Sequence, residues 1–364
     1  MSTDLPLPGL FGSLLWVFFG LFAANVLLFA AIVYEREQWR AQERKRGRIQ
    51  QRLGPVTERL LVGGDPRGLA DELRRVIEGL RRSSRPVAAW LVMDRLGGAD
   101  EAARRAVCGV LEECGAVDLA ERATRQRTPW RRALACEFLG VIGTERSVDV
   151  LVARLRDGRA EVRTAAALAL GELGYAAAAQ PLTELFLRRE GVPLGVAHDA
   201  LSRLGTAGAG AFRRGLDSPD ATVRVTSCFG IVEGATGGGP EPLALLQRRL
   251  RDDGEPRVRA AAASAVQRLA GEVAPDGLLA ARHDAAAVVR RAAARSLGAF
   301  GDPAAVEALA DLLSDRDRET TLRAAESLLA LADAPRTGEA SRAVLAGSRS
   351  WAVESVRREA ELYA

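Results

Sequence analysis

WRRALACEFLGVIG (130–143), EVRTAAALALGELG (161–174), TVRVTSCFGIVEG (222–234), RVRAAAASAVQRLAG (257–271), VVRRAAARSLGAFG (288–301) and TLRAAESLLALA (321–332) are variants of one segment. Each sets a basic residue ahead of small and aliphatic residues at helical spacing, so each reads as a helix with one apolar face. Arg132, Arg163, Arg224, Arg259, Arg290 and Arg323 align as equivalents. VAHDALSRLG (196–205), without the arginine and with His198, fills the gap around Ala197. The period is about 32 residues, which belongs to repeat architectures rather than to a single globular core.

Between these segments lie leucine-patterned stretches: SVDVLVARLRD, AAQPLTELFLRRE, EPLALLQRRLRDD and AAVEALADLLSD. Several end in Asp157, Asp252 and Asp253, or Asp315, just before the next unit. Paired helices follow from this alternation. Alanines let the two helices come close, leucines fill the layer, and the glycine after the first helix provides a left-handed stop. The aspartate is placed to cap the next helix, and the recurrent arginine to reach an acceptor of the adjacent repeat.

The pattern VR-x-A-A-x-x-L-G, followed by GDPAAVEALADLLSD from Gly301 to Asp315, resembles the HEAT repeat, in the short variety typified by the phycobilisome-lyase repeats. The resemblance covers about residues 128 to 364 and implies an all-α solenoid of stacked helical hairpins. The stretch GATGGGPEP (234–242) interrupts one unit, and WAVESVRREAELYA (351–364) reads as a closing half-repeat with Val356 and Arg357 in register. Residues 53–127 are helical by pattern but match the repeat poorly, and are expected to form an atypical cap.

Outward from the repeats, the other end of the chain is different in kind. No charged residue stands between Asp4 and Glu35, and LFGSLLWVFFGLFAANVLLFAAIV (10–33) is long and apolar enough to cross a bilayer as a helix. The flanking residues lack a positive n-region, so a retained transmembrane helix over 10–34 is expected rather than a cleaved signal. Residues 1–9 form a short extracytoplasmic N-terminus in that reading, and 35–52 a basic juxtamembrane segment. Its Arg36, Arg40, Arg44, Lys45, Arg46, Arg48 and Arg52 outweigh Glu35, Glu37 and Glu43. By the positive-inside rule they hold the C-terminal side in the cytoplasm, and they are drawn to anionic lipid. Ser13, Gly20, Ala24 and Ala31, with Asn25 beside them, form a small-residue stripe suited to a neighbouring helix.

The chain has 364 residues, a net charge of +4 and a sequence pI near 9.2. Residues 53–364 carry 44 basic and 43 acidic groups, so the basic excess belongs to the juxtamembrane segment and not to a nucleic-acid face. Chemistry is sparse. Two histidines, four cysteines and a single lysine leave little for metal, nucleophilic or Schiff-base work. Cys108, Cys114, Cys136 and Cys228 form no CxxC, and His198 and His283 lack metal-ligand companions. The glycine stretches GGDPRG (63–68) and GATGGGPEP lack a phosphate-loop lysine.

The expectation is therefore a non-enzymatic, single-pass scaffold of the cytoplasmic membrane. It takes no cofactor, metal or nucleic acid, and its solenoid positions a protein partner, as an accessory subunit of a larger bacterial membrane complex. Trp90, Trp130 and Trp351 are the side chains best suited to anchor a partner. Two alternatives stand beside it: the lyase resemblance implies an enzyme acting on a bilin, and a solenoid can also sense a ligand.

Overall fold

The computed structural model describes residues 43–44, 46–59, 66–81, 84–96, 101–235 and 240–363, and these are helices joined by turns, with no strand among them. Residues 10–34, and with them Ser13, Gly20, Ala24, Asn25 and Ala31, lie outside the described residues, as do Arg36, Arg40 and Lys45. Among the described residues no helix is long and apolar enough to cross a membrane.

The chain divides into two compact units, Met1–Leu119 and Ala120–Ala364. The first contains α1 (46–59), α2 (Pro66–Glu78), α3 (Arg85–Leu96) and α4 (Glu101–Glu113). Ile49, Leu53 and Val56 of α1, Leu73 and Ile77 of α2, Val92 of α3, and Val107 and Leu111 of α4 are buried. Their three- and four-residue spacing is what makes each helix one-sided. Arg74 joins α2 to α4 by donating to Glu113, at 2.9 Å from Nε and 2.6 Å from Nη2.

The boundary falls within α5 (Ala116–Ala123), after which the second unit alternates first and second helices. The first helices are α6 (Pro129–Ile142), α8 (Ala160–Leu173), α10 (Leu194–Arg203), α12 (Ala221–Glu233), α14 (Pro256–Leu269), α16 (Ala287–Leu297), α18 (Arg318–Leu331) and α20 (Trp351–Tyr363). The second helices are α7 (Ser147–Arg154), α9 (Ala179–Arg188), α11 (Thr206–Gly215), α13 (Pro240–Asp252), α15 (Asp276–Ala280), α17 (Pro303–Leu312) and α19 (Gly338–Gly347). Each first helix packs on the next, from α6 through α20.

Starts and contacts follow from the sequence. Asp220, Asp302 and Asp317 cap α12, α17 and α18 by accepting from backbone N–H groups of Thr222, Ala304 and Thr320. Prolines open α6, α13, α14 and α17, where their missing N–H is not needed. Buried Ala166, Ala167, Ala262, Ala263, Ala293 and Ala294 keep the first helices thin. At the closest approach a Cβ on Gly140 would sit 2.8 Å from the Cα of Ala169, and one on Gly171 2.7 Å from that of Ala200.

Three expectations need correction. The left-handed glycine stop holds after α8, where Gly174 has φ 71°, but Gly143, Gly234 and Gly298 have φ of −68°, −82° and −63°. There the absent side chain matters instead: a Cβ on Gly298 would meet Ser327 at 2.7 Å. The recurrent arginine is the fourth residue of α6, α8, α12, α14 and α16, whereas the fourth residue of α18 is Thr321, so Arg323 is out of register. In α20 the fourth residue is Glu354, and buried Val353 takes the place assigned to Val356.

Candidate interaction surface

The repeated charges build a ladder along the inter-repeat turns. Arg290 donates from Nε and Nη2 to the two carboxylate oxygens of Asp315 at 2.6 and 2.8 Å, and from Nη1 to the carbonyl of Asp284 at 2.9 Å. Arg259 does the same to Asp284 at 2.8 and 2.8 Å, with Nη1 on the carbonyl of Asp253. Arg224 forks onto Asp253 at 2.8 and 3.0 Å, with Nη1 on the carbonyl of Ser218. Arg132 forks onto Asp157 at 2.9 and 2.7 Å. Each aspartate also accepts from the backbone N–H two residues on: Arg159, Glu255, Ala286 and Asp317. One carboxylate therefore holds a guanidinium and the start of the next first helix together, the planar fork being what arginine supplies and lysine does not.

Hydrogen bonds from Arg259 and Arg290 hold the carboxyls of Asp284 and Asp315 below the usual carboxylate range. At Asp253 burial pushes the other way, but the bonds from Arg224 and the backbone outweigh it. The ladder is interrupted once. Arg163 finds no aspartate and donates to the carbonyls of Gly191 and Asp157 at 2.5 and 2.8 Å. In the next unit Leu194 stands where the arginine would be and Ser218 where the aspartate would be. Aromatic packing fills this unit: Phe186 and Phe212 meet edge to face with centroids 5.6 Å apart, and the His198 ring lies 5.2 Å from Phe212. His198 sits between Asp199 and Glu233, each 3.4 Å from one ring nitrogen, and Ser202 donates to Glu233 at 2.6 Å.

Trp130 opens α6 and is 61% exposed, with the Arg131 guanidinium 5.3 Å from its ring centroid. Trp351 opens α20 and is 42% exposed under Arg318, at 4.5 Å. Trp130 therefore faces outward beside an arginine of its own helix, whereas Trp351 lies partly covered by Arg318 of α18, in the preceding repeat. Trp90 of α3 is half-buried beneath Arg46, 5.0 Å away. Trp130 and Trp351 stand on the first and last of the first helices of the second unit, and Trp90 belongs to the first unit. Val141, Val273 and Val288 are also exposed, and the sequence reading passed over them. For Val288 a signal existed: Val289, not Val288, lines up with the buried Val162, Val223 and Val258.

The basic juxtamembrane residues that are described, Arg44, Arg46, Arg48 and Arg52, are exposed on α1 or just before it. Cys136 and Cys228 are buried, and that burial pushes both thiols up to about 12. Such thiols are not nucleophiles at neutral pH. Among the described residues no three His, Cys, Asp or Glu side chains are grouped to hold a metal ion.

No curated protein matches the sequence. Among solved structures, human deoxyhypusine hydroxylase in complex with glycerol is 19% identical, covering 78% of this chain and 96% of its own, with a TM-score of 0.30. The complex of CpcE and CpcF of phycocyanin lyase from a Nostoc species is also 19% identical, over 72% of this chain and 94% of its own, with a TM-score of 0.31. Likenesses of this size say nothing of activity or partner. The family model described as HEAT repeats matches residues 116–202, 211–294 and 275–363. Those matches span about two thirds of the sequence and take in every rung of the ladder, and the chain belongs to the HEAT-repeat family.

Proposed function

We propose that this chain is a non-enzymatic scaffold, held at the cytoplasmic membrane by a single helix over residues 10–34, whose cytoplasmic solenoid binds and positions a protein partner within a larger membrane complex. The observation that carries this reading is the contrast between committed and uncommitted side chains on the repeats. The arginines that recur most regularly are spent on aspartates of the next turn, at side-chain exposures of 7–15%. Large apolar groups, Trp130 above all, are left at the surface. An exposed tryptophan beside an arginine is the kind of anchor that carries binding energy at protein interfaces.

The test is purification of the full chain in a mild detergent, with identification of what comes with it. A defined set of integral membrane proteins is expected, and Trp130→Ala should reduce its recovery at least tenfold while leaving the helical content unchanged. Recovery of the chain alone, from several detergents and at native expression, would overturn the reading.

A further inference from the structure

Arginines recur at every fourth position, Arg36, Arg40, Arg44, Arg48 and Arg52, with Lys45 and Arg46 out of step. The described part of this series is helical. Four residues advance an α-helix by one turn and a little more, so Arg48 and Arg52 share one flank of α1, roughly 40° apart. The face beside that flank is committed to the first unit, through Ile49, Leu53 and Val56 at 3%, 1% and 1% exposure. Arg46 projects from the opposite flank, where its guanidinium lies over the Trp90 ring. Arg44, Arg48 and Arg52 are exposed. Arg48 donates to the carbonyl of Arg44 at 3.3 Å, within its own helix, and Arg52 makes no ion pair among the described residues. The fold thus divides a cluster that looks uniform in sequence: one arginine is held by an aromatic ring, and others are turned to a separate side of the helix.

We propose that this flank of α1 lies along an anionic bilayer, with Arg48 and Arg52 donating to lipid phosphates, and that Arg46 takes no part in the contact. The inference rests on the membrane-anchor reading and names the surface that the anchored chain touches. An anchor ending at about residue 34 leaves eleven residues before α1, enough chain to let the helix lie back against the headgroups, within the roughly 10 Å over which their potential acts. Each arginine close to such a surface is worth about a fivefold gain in partition, and a row of them fixes the orientation of the helix.

The full chain is incorporated into two nanodiscs, one of phosphatidylcholine alone and one containing roughly a third phosphatidylglycerol. Hydrogen exchange is then followed in peptides covering residues 43–59. Exchange in α1 is expected to be about tenfold slower in the anionic disc at low salt, and the difference to vanish near 0.5 M salt, where screening is strong. R48Q/R52Q should abolish the difference; R46Q should keep it while loosening the peptide that contains Trp90. Equal exchange in the two discs, or an undiminished difference in R48Q/R52Q, would overturn the proposal while leaving the anchor intact. Failure to incorporate into the phosphatidylcholine disc would remove the anchor, and this surface with it.

Discussion

Arg290 and Arg323 are the same residue at the same apparent place in two repeats, and their surroundings differ completely. Arg290 and Asp315 are 7% and 8% exposed at their side chains, and Arg290 also satisfies the carbonyls of Asp284 and Ala285. Arg323 is 30% exposed and, among the described residues, pairs with Glu319 and Glu326 of its own helix. Replacing Arg290 with methionine keeps the stem but leaves the Asp315 carboxylate without its counter-charge in a dry site. Losing one partner of such a pair costs about 3 kcal/mol, whereas the same change at Arg323 should cost under ~0.5 kcal/mol. Urea unfolding of the two variants checks this, and equal losses would mean that the ladder is not what holds the turns. The acid limb gives the sign independently. Because the bond from Arg290 lowers the Asp315 carboxyl, its stabilisation is present above the ordinary carboxylate value near ~4 and is lost as pH falls through the depressed one. R290M should therefore lose less further stability between about pH 5 and pH 2 than the parent does.

At the scale of the helices, the interrupted unit separates what the sequence discloses from what it hides. The period, the two helices per unit and the reach of the arginine to an acceptor of the next turn were readable, because each depends on local spacing and on side chains that reach only that turn. The terminal aspartates do not cap the next helix as expected: Asp157, Asp253 and Asp315 accept instead from the N–H of the residue just ahead of it. The register of α18 was not. RAA occurs at Arg291 and at Arg323, but the buried alanine pairs Ala293–Ala294 and Ala324–Ala325 align only when Thr321 takes the place of Arg290. Such a slip of two residues is decided by packing, not by composition. Neither was the consequence of GVP at 191–193: Gly191 at φ 80° followed by Pro193 delays α10 until Leu194, removing its first turn along with its arginine. What spans the gap is a substitute pair, Arg189 donating to Asp220 at 2.5 Å, with side chains 46% and 35% exposed. The hydrogen bond from Arg189 brings the Asp220 carboxyl to about 2. Exposed pairs of this kind hold less firmly than buried forks. Hydrogen exchange should therefore be faster in α10 and α11 than in α14 and α16, and Arg189→Gln should speed it further there while leaving α14 and α16 unchanged. Uniform protection along the repeats would show that Phe186 and Phe212 compensate fully for the missing rung.

For the whole chain, the disposition of charge bears on where it resides. Asp4 is the only charge before residue 34; residues 34–52 carry a net +4, and the remaining 312 residues a net +1. A repeat region so nearly neutral, with its regular arginines forked onto aspartates, has no basic excess to direct it to nucleic acid, and the high pI is a property of the segment next to the apolar run. Basic residues that close to a spanning helix act on its orientation, because lysine and arginine resist transfer across the membrane. In the proposed arrangement Ala364 lies on the cytoplasmic side, and a reporter fused there should fluoresce or turn over only as a cytoplasmic protein does. The charge argument predicts a second result. Replacing Arg36, Arg40, Arg44, Lys45, Arg46, Arg48 and Arg52 with glutamine leaves Glu35, Glu37 and Glu43 beside the run, so the bias that fixes orientation disappears. A mixed population should follow, with a measurable fraction of the reporter translocated, while the circular dichroism of the repeats stays helical. A periplasmic signal from the unaltered chain would reverse the topology and place the exposed face of Trp130 before a different set of partners.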